Sequence, residues 1–375
     1  MKLEINGRLV LASPGDTIYG AAKKAGIAIP GLCSSDHLAP FGSCRLCLCE
    51  VEGQSGLPAS CTTPVREGMV VHTESERLTR LRRNIVELYL SEQPAGDRAP
   101  ESLQWLAKSL GLRQVRYPQP SHRLDVVDRS NPFFTFDNAA CISCARCVRA
   151  CDEIQGTHAL TMLHRGFASR PVAGAASLTG EAAGFASSNC VSCGACVKEC
   201  PTGALMEKTV AEQGTPERTV RTTCAYCGVG CAFNAGVRDS TVVSMVPADD
   251  GPSNQGHACM KGRFGWTYNY APDRLRVPLL RQGNKWVEIS WPDALDRIAH
   301  EWVRLKDTYG PDALATISSS RGTNEENYLF GKFMRCVVGS NHIDNCARVC
   351  HSATVTSMIE AIRASAATNT MQGRD

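Results

Sequence analysis

The cysteines of this chain are the residues whose type and spacing point most directly to chemistry. Twenty of its 375 residues are cysteines, and two runs share one pattern, with gaps of two, two and three residues. An iron–sulfur core needs several thiolates on a short loop, and this pattern is the bacterial ferredoxin run, in which the fourth cysteine ligates the other cluster. The sequence therefore predicts two [4Fe–4S] clusters. Their ligands are Cys141, Cys144, Cys147 and Cys200 (site A), and Cys190, Cys193, Cys196 and Cys151 (site B).

Structural zinc is the alternative for any group of clustered cysteines. Here three cysteines occur at this pitch in two copies, and Pro201 follows the second run directly. Both features are typical of ferredoxins, so the pattern favours iron–sulfur clusters over zinc at sites A and B.

An earlier group of cysteines has a different spacing. Cys33, Cys44, Cys47 and Cys61 keep the C-x2-C pair of plant-type [2Fe–2S] sites, although the first gap is ten residues instead of four. Zinc remains open on spacing alone, but the strand-rich context and the neighbouring ferredoxin repeat favour [2Fe–2S]. Cys49 lies two residues beyond Cys47, and we expect it to be a buried thiol and not a fifth ligand.

The last set comprises Cys224, Cys227, Cys231 and Cys259. Two such pairs far apart in sequence could hold zinc, but beside the other sets we predict a third [4Fe–4S] cluster, site C. Lys261 follows two residues later. It is either a solvated cation or a group that lies between this cluster and a second redox centre.

Four cysteines fall outside the sets of four, and Cys49 is one of them. Cys336 lies in an apolar helical segment and is predicted to belong to a core. Cys346 and Cys350 are four residues apart, and His351 follows. They are either core thiols or a dithiol redox pair, although the spacing is not the usual C-x2-C.

Short strands and turns must position the first cysteines. Apolar residues on both sides of Asn6-Gly7 predict a hairpin. A short helix is predicted near Thr17–Ala25 and a closing strand at Val70–Thr73. Ser75 then begins a helix in which apolar residues recur at helical spacing. These apolar residues are Leu78, Leu81, Ile85 and Leu88.

Beyond the last cysteine set the pattern changes to alternating helices and strands. Ser290 predicts the start of a helix that ends at Gly310. A strand at Leu314–Ser318 follows, and then a helix at Asn324–Val338 that Gly339 ends. This pattern is the opening of an α/β unit, and the sequence stops before a sheet of ordinary size would close.

Composition narrows the class of protein. The chain is long enough for several domains and does not need disulfides to supplement its core. It begins without an apolar signal core, and no window approaches the roughly 18 apolar residues of a membrane helix, so we expect a cytoplasmic protein without a membrane span. The formal charge of +3 argues neither for nor against a nucleic-acid partner, and no basic block indicates one.

Several motifs give the chain a family resemblance. Together with the order of the cysteine sets, they resemble the alpha subunit of NAD-dependent, molybdenum- or tungsten-containing formate dehydrogenase, over residues 1 to about 353. The most specific stretches come last in the chain. The motifs are Pro132–Asp137, Cys259–Gly262, Ser290–Leu295, Gly322–Tyr328 and Cys346–Ser352.

The resemblance implies an α+β multidomain protein. A β-grasp [2Fe–2S] ferredoxin domain would be followed by a helical connector and a bacterial-type ferredoxin domain with two [4Fe–4S] clusters. A further [4Fe–4S] domain and the truncated start of an α/β molybdopterin-binding domain would complete the chain. The expected boundaries, in that order, are 1–78, 79–130, 131–212, 217–275 and 276–375.

The resemblance also implies a reaction, the oxidation of formate to carbon dioxide. Cys350 would ligate the molybdenum or tungsten of a bis-molybdopterin guanine dinucleotide, His351 would assist proton handling, and Lys261 would lie between the pterin and the nearest cluster. One [2Fe–2S] and three [4Fe–4S] clusters would carry the electrons. They would leave through the [2Fe–2S] domain toward flavin- and NAD-binding beta and gamma subunits.

Two features depart from the family pattern. No cysteine occurs between Cys61 and Cys141, so the additional histidine-and-three-cysteine cluster of many relatives is expected to be missing. The family continues for several hundred residues past the metal-ligating cysteine, whereas this sequence drifts from the pattern after Val355, so the tail 356–375 is expected to be an altered end. We therefore expect this chain alone to bind clusters but to oxidise formate poorly or not at all.

Other function classes stay open at this point. A pure electron-transfer module would use the clusters without a pterin. A different enzyme with the same front end is the third class, such as an iron-only hydrogenase or the large iron–sulfur subunit of complex I. The hydrogenase would need a further cysteine-bearing domain after the repeat, and complex I does not normally pair this repeat with a ligand like Cys350.

Overall fold

A mixed four-stranded sheet carries the first cysteine loop. The computed structural model describes residues 1–93, 100–117, 127–174 and 184–363. The predicted hairpin is confirmed, and its turn residues Asn6 and Gly7 have φ of +51° and +77°, the left-handed geometry of a tight hairpin turn. The predicted closing strand pairs in parallel with the first strand. The strands are β1 (Lys2–Ile5), β2 (Arg8–Leu11), β3 (Glu50–Val51) and β4 (Val70–His72), in the order β2–β1–β4–β3.

The first helix covers one face of this sheet. Helix α1 (Ile18–Lys24) begins where predicted, at Thr17, whose hydroxyl accepts a hydrogen bond from the Gly20 N–H at 3.1 Å. Its apolar side chains join a core that also contains three cysteines of the loop. The loop is therefore anchored by the same core that holds the sheet together. Those cysteines are Cys47, Cys49 and Cys61.

Helix α2 (Glu76–Ser91) holds the cysteine loop from outside the sheet. Ser75 caps it as predicted, since its hydroxyl accepts a hydrogen bond from the Leu78 N–H. Of the apolar residues that recur along this helix, Leu78 is buried, whereas Leu88 is 48% exposed. The buried face of this helix includes Leu78, Arg82 and Val86. These residues are four apart, so they lie on one side of the helix. A following helix, α3 (Glu101–Ser109), packs beside it.

Small strands and short helices frame the two ferredoxin-like runs. Phe134–Asp137 lies at the centre of a three-stranded sheet, and a separate hairpin follows the first run. The elements are β5 (Val127–Asp128), β6 (Phe134–Asp137), α4 (Arg146–Arg149), a π-helical turn (Ala150–Gln155), β7 (Leu160–Leu163), β8 (Arg170–Ala173), α5 (Ala195–Lys198), β9 (Leu205–Glu207) and α6 (Lys208–Gln213). Helices α4 and α5 are only one turn long, and they contain Cys147 and Cys196.

The chain forms two compact units. The first comprises Met1–Val220, Ala235–Val246 and Gly256–Arg263, and the remaining described residues belong to the second. Within the described residues, no helix is long and apolar enough to cross a membrane. The next elements along the chain are β10 (Arg218–Thr223), β11 (Ala232–Arg238), β12 (Thr241–Pro247), α7 (Met260–Phe264), β13 (Leu279–Gln282) and β14 (Lys285–Glu288).

The second unit ends in the predicted opening of an α/β fold. Helix α8 (Trp291–Tyr309) is capped by Ser290 and ends at Gly310. Two strands, β15 (Thr316–Ser318) and β16 (Ile343–Asn345), pair in parallel across helix α9 (Asn324–Phe333). Thr323 and Glu326 form a reciprocal capping box at the start of α9. Helices α10 (Ala347–Cys350) and α11 (Ser352–Ile362) follow.

The prediction that Cys336 belongs to a core is wrong. It lies in the π-helical turn that continues α9 to Val338, and its side chain is exposed. Met334 and Val338, four residues apart, form the buried side of this turn. A residue midway between them therefore points away from the core.

Arg82 provides a test of how the first cysteine loop is held. Its Nε and Nη2 atoms donate hydrogen bonds to the carbonyls of Leu46 and Leu48, at 2.9 and 2.8 Å, on either side of Cys47. Arg82→Ala would leave two buried carbonyls unpaired, and we expect it to cost roughly 2–4 kcal/mol. Thermal loss of the visible circular dichroism of the [2Fe–2S] site measures the effect.

The adjacent Arg83 is the matched control. It is exposed and bonds a carbonyl outside the loop, that of Leu110. Arg83→Ala is expected to leave the transition within about 0.5 kcal/mol of the parent. Equal transitions for both variants would contradict the role assigned to Arg82.

Candidate iron–sulfur and metal sites

The four cysteines of the first set lie together in the interior. Each is at most 2% exposed, and their thiols are hydrogen-bonded to one another: Cys44 and Cys61 both donate to Cys33, and Cys61 also bonds Cys47. The hydrogen bonds from Cys44 and Cys61 lower the pKa of Cys33 to about 2, and the bond with Cys61 lowers the pKa of Cys47 to about 6. Thiolates are the form that binds iron in a cluster, so this arrangement suits an iron–sulfur cluster.

Backbone amides also face these sulfurs. The Leu32 N–H donates to Cys44 Sγ at 3.4 Å, and the Cys44 N–H donates to Cys33 Sγ at 3.3 Å. Such bonds stabilise the anionic form of a sulfur ligand and raise the potential of a bound cluster. Cys49, in contrast, bonds the Pro58 carbonyl, and burial raises its pKa to about 11, as expected for a structural thiol.

The structure brings the site A cysteines together across the two runs. Burial raises the pKa of Cys144 to about 12, and the nearby Cys200 and Cys141 sulfurs add to the effect. The pKa of Cys147 is raised by burial and by the same neighbours. The fourth cysteine of the second run therefore lies with the first run, as the ferredoxin pattern predicts.

Site B shows the reciprocal arrangement. Burial raises the pKa values of Cys190 and Cys193, and the Cys151 sulfur of the first run contributes to both shifts. Cys196 is affected by all three of these neighbours. The structure thus groups the eight cysteines as the sequence predicts, and their roles as ligands stay predictions.

Both runs fold their backbones in the same unusual way. Ser143 and Ser192 have φ of +53° and +55°, and Ala145 and Gly194 have φ of +60° and +76°. Alternation of left- and right-handed residues turns successive N–H groups inward and creates an anion-binding nest. The Ser143 N–H accordingly donates to Cys141 Sγ at 3.3 Å, and the Ser192 N–H donates to Cys190 Sγ at 3.4 Å.

Thiolate-only donor sets with amide donors around them fit iron–sulfur clusters. The structure shows a second feature that suits a relay, because neighbouring sets share one interior. Cys33 and Cys44 of the first set pack in the same apolar cluster as Cys144 of site A. Tyr89 of α2 lies near all three, and its pKa is raised by burial and by their sulfurs. Cys147 of site A in turn lies within electrostatic reach of Cys196 of site B.

The four cysteines predicted to form site C are divided between the two compact units. Cys224, Cys227 and Cys231 lie in the second unit, where the Cys224 N–H donates to the Cys231 carbonyl at 2.8 Å and closes the loop. Cys259 belongs to the first unit, so the completeness of this set stays a prediction. Lys261 is exposed on α7. Within the described ranges, no three His, Cys, Asp or Glu side chains are arranged around a single metal ion.

The two most specific motifs meet at the carboxyl edge of the parallel strands β15 and β16. Asn345 donates to Ser318 Oγ at 2.9 Å and to Asn327 Oδ1 at 3.3 Å. Cys346 accepts hydrogen bonds from the Ser320 N–H and hydroxyl, both at 3.4 Å, and these bonds lower its pKa. Open α/β sheets bind ligands at this edge. These polar groups therefore fit a cofactor-binding position.

The predicted catalytic residues lie next to this edge along the chain. His351 is exposed between α10 and α11, and the Cys350 side chain lies outside the described part of the structure. Sequence reasoning missed Arg82, Tyr89 and Arg263. Only their burial and neighbours in the fold reveal them, since an isolated arginine or tyrosine carries no spacing signal.

These features define a class, a multicluster iron–sulfur protein that continues into an α/β cofactor-binding fold. Comparison with protein families specifies it further. Four models match in order: a 2Fe-2S iron–sulfur cluster binding domain, a 4Fe-4S dicluster domain, a molybdopterin oxidoreductase Fe4S4 domain and a molybdopterin oxidoreductase domain. The chain thus contains the Fe4S4 domain and the molybdopterin domain of the molybdopterin oxidoreductases. The matched residues are 1–76, 140–204, 217–271 and 274–373.

The last of these matches corrects one expectation. The molybdopterin oxidoreductase model reaches residue 373, whereas the tail 356–375 was expected to be an altered end. The family pattern therefore continues beyond Val355. The apolar residues of α11 form no distinctive motif, so the sequence pattern alone did not indicate this.

Three similar proteins illustrate the family. The alpha subunit of an NADPH-Fe(3+) oxidoreductase from Geobacter sulfurreducens is 34% identical over 100% of this chain and 44% of its own length. A Staphylococcus aureus protein named "Putative formate dehydrogenase" is 28% identical over 96% of this chain and 40% of its own. The crystal structure of an NAD+-reducing [NiFe]-hydrogenase in the H2-reduced state has 33% identity, covers 55% of this chain and 87% of that chain, and has a TM-score of 0.46. The chain thus spans less than half the length of the Geobacter and Staphylococcus relatives.

Exchange of the fourth ligand between sites A and B can be tested by iron content. If every set is filled, the anaerobically purified chain holds about fourteen iron atoms, two from [2Fe–2S] and four from each [4Fe–4S] cluster. Cys200→Ala is expected to weaken site A, although Cys200 belongs to the second run, and to remove up to about four iron atoms. Iron analysis with electron paramagnetic resonance (EPR) of the reduced protein measures the loss.

Cys49→Ala is the matched control, because Cys49 is buried among the same core residues but bonds only a carbonyl. It is expected to retain the full iron content. Loss of the site B signal and not the site A signal in Cys200→Ala would contradict the crossed arrangement.

Proposed function

We propose that this chain carries electrons from formate oxidation at a metal–pterin site to a partner subunit that reduces NAD. The observation that carries the proposal is the shared interior of neighbouring cysteine sets. The first set packs against site A through Cys144, and site A reaches site B through Cys147 and Cys196. Electron transfer slows steeply with distance, so adjacent clusters are what a relay requires.

The proposed cofactors are one [2Fe–2S] cluster, three [4Fe–4S] clusters and a bis-molybdopterin guanine dinucleotide with molybdenum or tungsten. Cys350 would be the protein ligand of that metal, at the carboxyl edge where Cys346 and Asn345 lie. When bound, the metal–pterin group would supply two-electron chemistry, in which formate gives carbon dioxide, one proton and two electrons.

The residues of this chain have separate roles in the proposal. His351, exposed next to Cys350 in the chain, would take up the proton on its imidazole. Lys261 would lie between the pterin and site C and stabilise negative charge there. The clusters would accept the two electrons one at a time and pass them on.

The proposed exit is the amino-terminal [2Fe–2S] domain, toward flavin- and NAD-binding beta and gamma subunits. Its cysteines are fully enclosed by the protein, so a partner would receive electrons through the loop surface and not at a bare cluster. The grouped free thiols need a reducing compartment, which supports a cytoplasmic location.

A second candidate function is suggested by the Geobacter relative. That protein is the alpha subunit of an NADPH-Fe(3+) oxidoreductase. It aligns with 100% of this chain, over 44% of its own length. In that case the same clusters would carry electrons that originate from NADPH at another subunit. The relay is common to both candidates, and Cys350 would be essential only to the first.

The substitution Cys350→Ser separates the two candidates. In the complex isolated from the source organism, formate-dependent dye reduction is expected to fall at least about 100-fold, because the metal loses its soft ligand. NADPH-dependent dye reduction would be unchanged. The variant Cys336→Ser, an exposed thiol of the same unit, is the control and should retain formate activity. A parent complex that oxidises NADPH and not formate would exclude the formate proposal.

The isolated chain gives a complementary result. We expect 375 residues to bind the clusters but to reduce a dye with formate poorly or not at all, since the chain spans less than half of its curated relatives. Dithionite should still reduce the clusters fully. Robust formate-dependent dye reduction by the isolated chain would contradict this expectation.

A further inference from the structure

Arg263 is a buried cation that the cysteine pattern does not explain. Its side chain is 3% exposed, and its backbone N–H donates to the carbonyl of Cys259, one helical turn earlier. It lines a small cavity of about 30 Å³ together with Cys193 of site B and Lys198. The sulfurs of Cys193 and Cys196 lie close enough to stabilise its positive charge.

The other charges around Arg263 form an alternating buried series. Glu207 Oε1 lies 3.6 Å from Arg263 Nε, and Glu199 is a further buried carboxylate within reach. Glu199 is itself paired with Arg146 at 2.6 Å. Lys198 directs its ammonium group to the Gly256 carbonyl at 2.7 Å and to His37 Nε2 at 3.2 Å.

Within this series, Arg263 is the cation that lies next to the cysteine sulfurs of site B. The charge of Glu199 is largely offset by Arg146, whereas Glu207 is the counter-charge of Arg263 itself. Reduction of a [4Fe–4S] cluster adds one electron and therefore one negative charge, with no bond made or broken. A buried cation beside the ligands stabilises the reduced form, and the low local dielectric strengthens this effect.

We propose that Arg263 is a positioning residue of the relay that raises the reduction potential of the cluster at site B. The proposal rests on the assignment of site B as a [4Fe–4S] site. Arg263 follows Cys259 in the chain, so the segment that provides a ligand of site C would also set the potential of site B. Electrons arriving from site C would then find a favourable acceptor.

Redox titration monitored by EPR tests the proposal on the anaerobically purified chain, with dithionite as reductant. Arg263→Gln is expected to lower the equilibrium constant for reduction of one [4Fe–4S] component about tenfold, a shift of about 59 mV for one electron. Arg263→Lys keeps the charge and should recover most of the shift. Arg304→Gln, which removes an exposed arginine paired with Glu301, should leave every component unchanged.

Glu207→Gln provides a variant with the opposite expected sign. Burial raises the pKa of Glu207 to about 7, so the titration is done at about pH 8.5, where the carboxylate is ionised. Removal of this negative charge should raise the equilibrium constant for reduction of the same component about tenfold, and thus raise its reduction potential. This result distinguishes electrostatic tuning from simple damage to the fold, which would not raise a potential.

Iron content separates the two levels of the proposal. If the parent chain lacks the iron and the EPR signal of site B, the assignment of that site is wrong. If iron is complete but no component shifts in Arg263→Gln or Glu207→Gln, the cluster assignment stands and the role of Arg263 is overturned. Equal shifts in all components, or no recovery with lysine, would also overturn it.

Discussion

The structure depends on one electrostatic constraint, the cost of holding several thiolates close together away from water. Burial and mutual repulsion raise the pKa values of Cys144, Cys147 and Cys196, so an empty site favours neutral thiols. Inward N–H groups offset part of this cost, and a cationic iron core would offset more of it. The residues with left-handed backbone in the two ferredoxin runs orient these N–H groups, so this backbone conformation helps to stabilise the thiolates.

The same constraint explains where the buried arginines lie. Arg82 is held between Leu46 and Leu48 beside the first cysteine set, and Arg263 lies beside Cys193. A buried cation loses the free energy of hydration, and nearby carboxylates and anionic clusters would offset this loss. Arg82 also ties α2 to the first cysteine loop, so its side chain gives both structural and electrostatic support.

Much of this arrangement could be predicted from the sequence, because cysteine spacing is a direct consequence of cluster geometry. The hairpin at Asn6-Gly7, the capped helices at Ser75 and Ser290 and the α/β opening were likewise readable from local signals. The buried face of α2 and the exposed Cys336 were not, since tertiary packing decides which side of a helix is covered. The surroundings of Tyr89 and Arg263 depend on contacts between distant segments, which no local pattern contains.

The central claim is that the cysteine sets form one continuous relay, and its most direct test is magnetic. In the fully reduced chain, the [2Fe–2S] spin should relax faster than in an isolated [2Fe–2S] domain, because the site A cluster shares its interior through Cys144. Pulsed EPR at low temperature measures this relaxation. We expect the enhancement to disappear when site A is emptied by Cys200→Ala. A relaxation rate that does not depend on site A would contradict the relay.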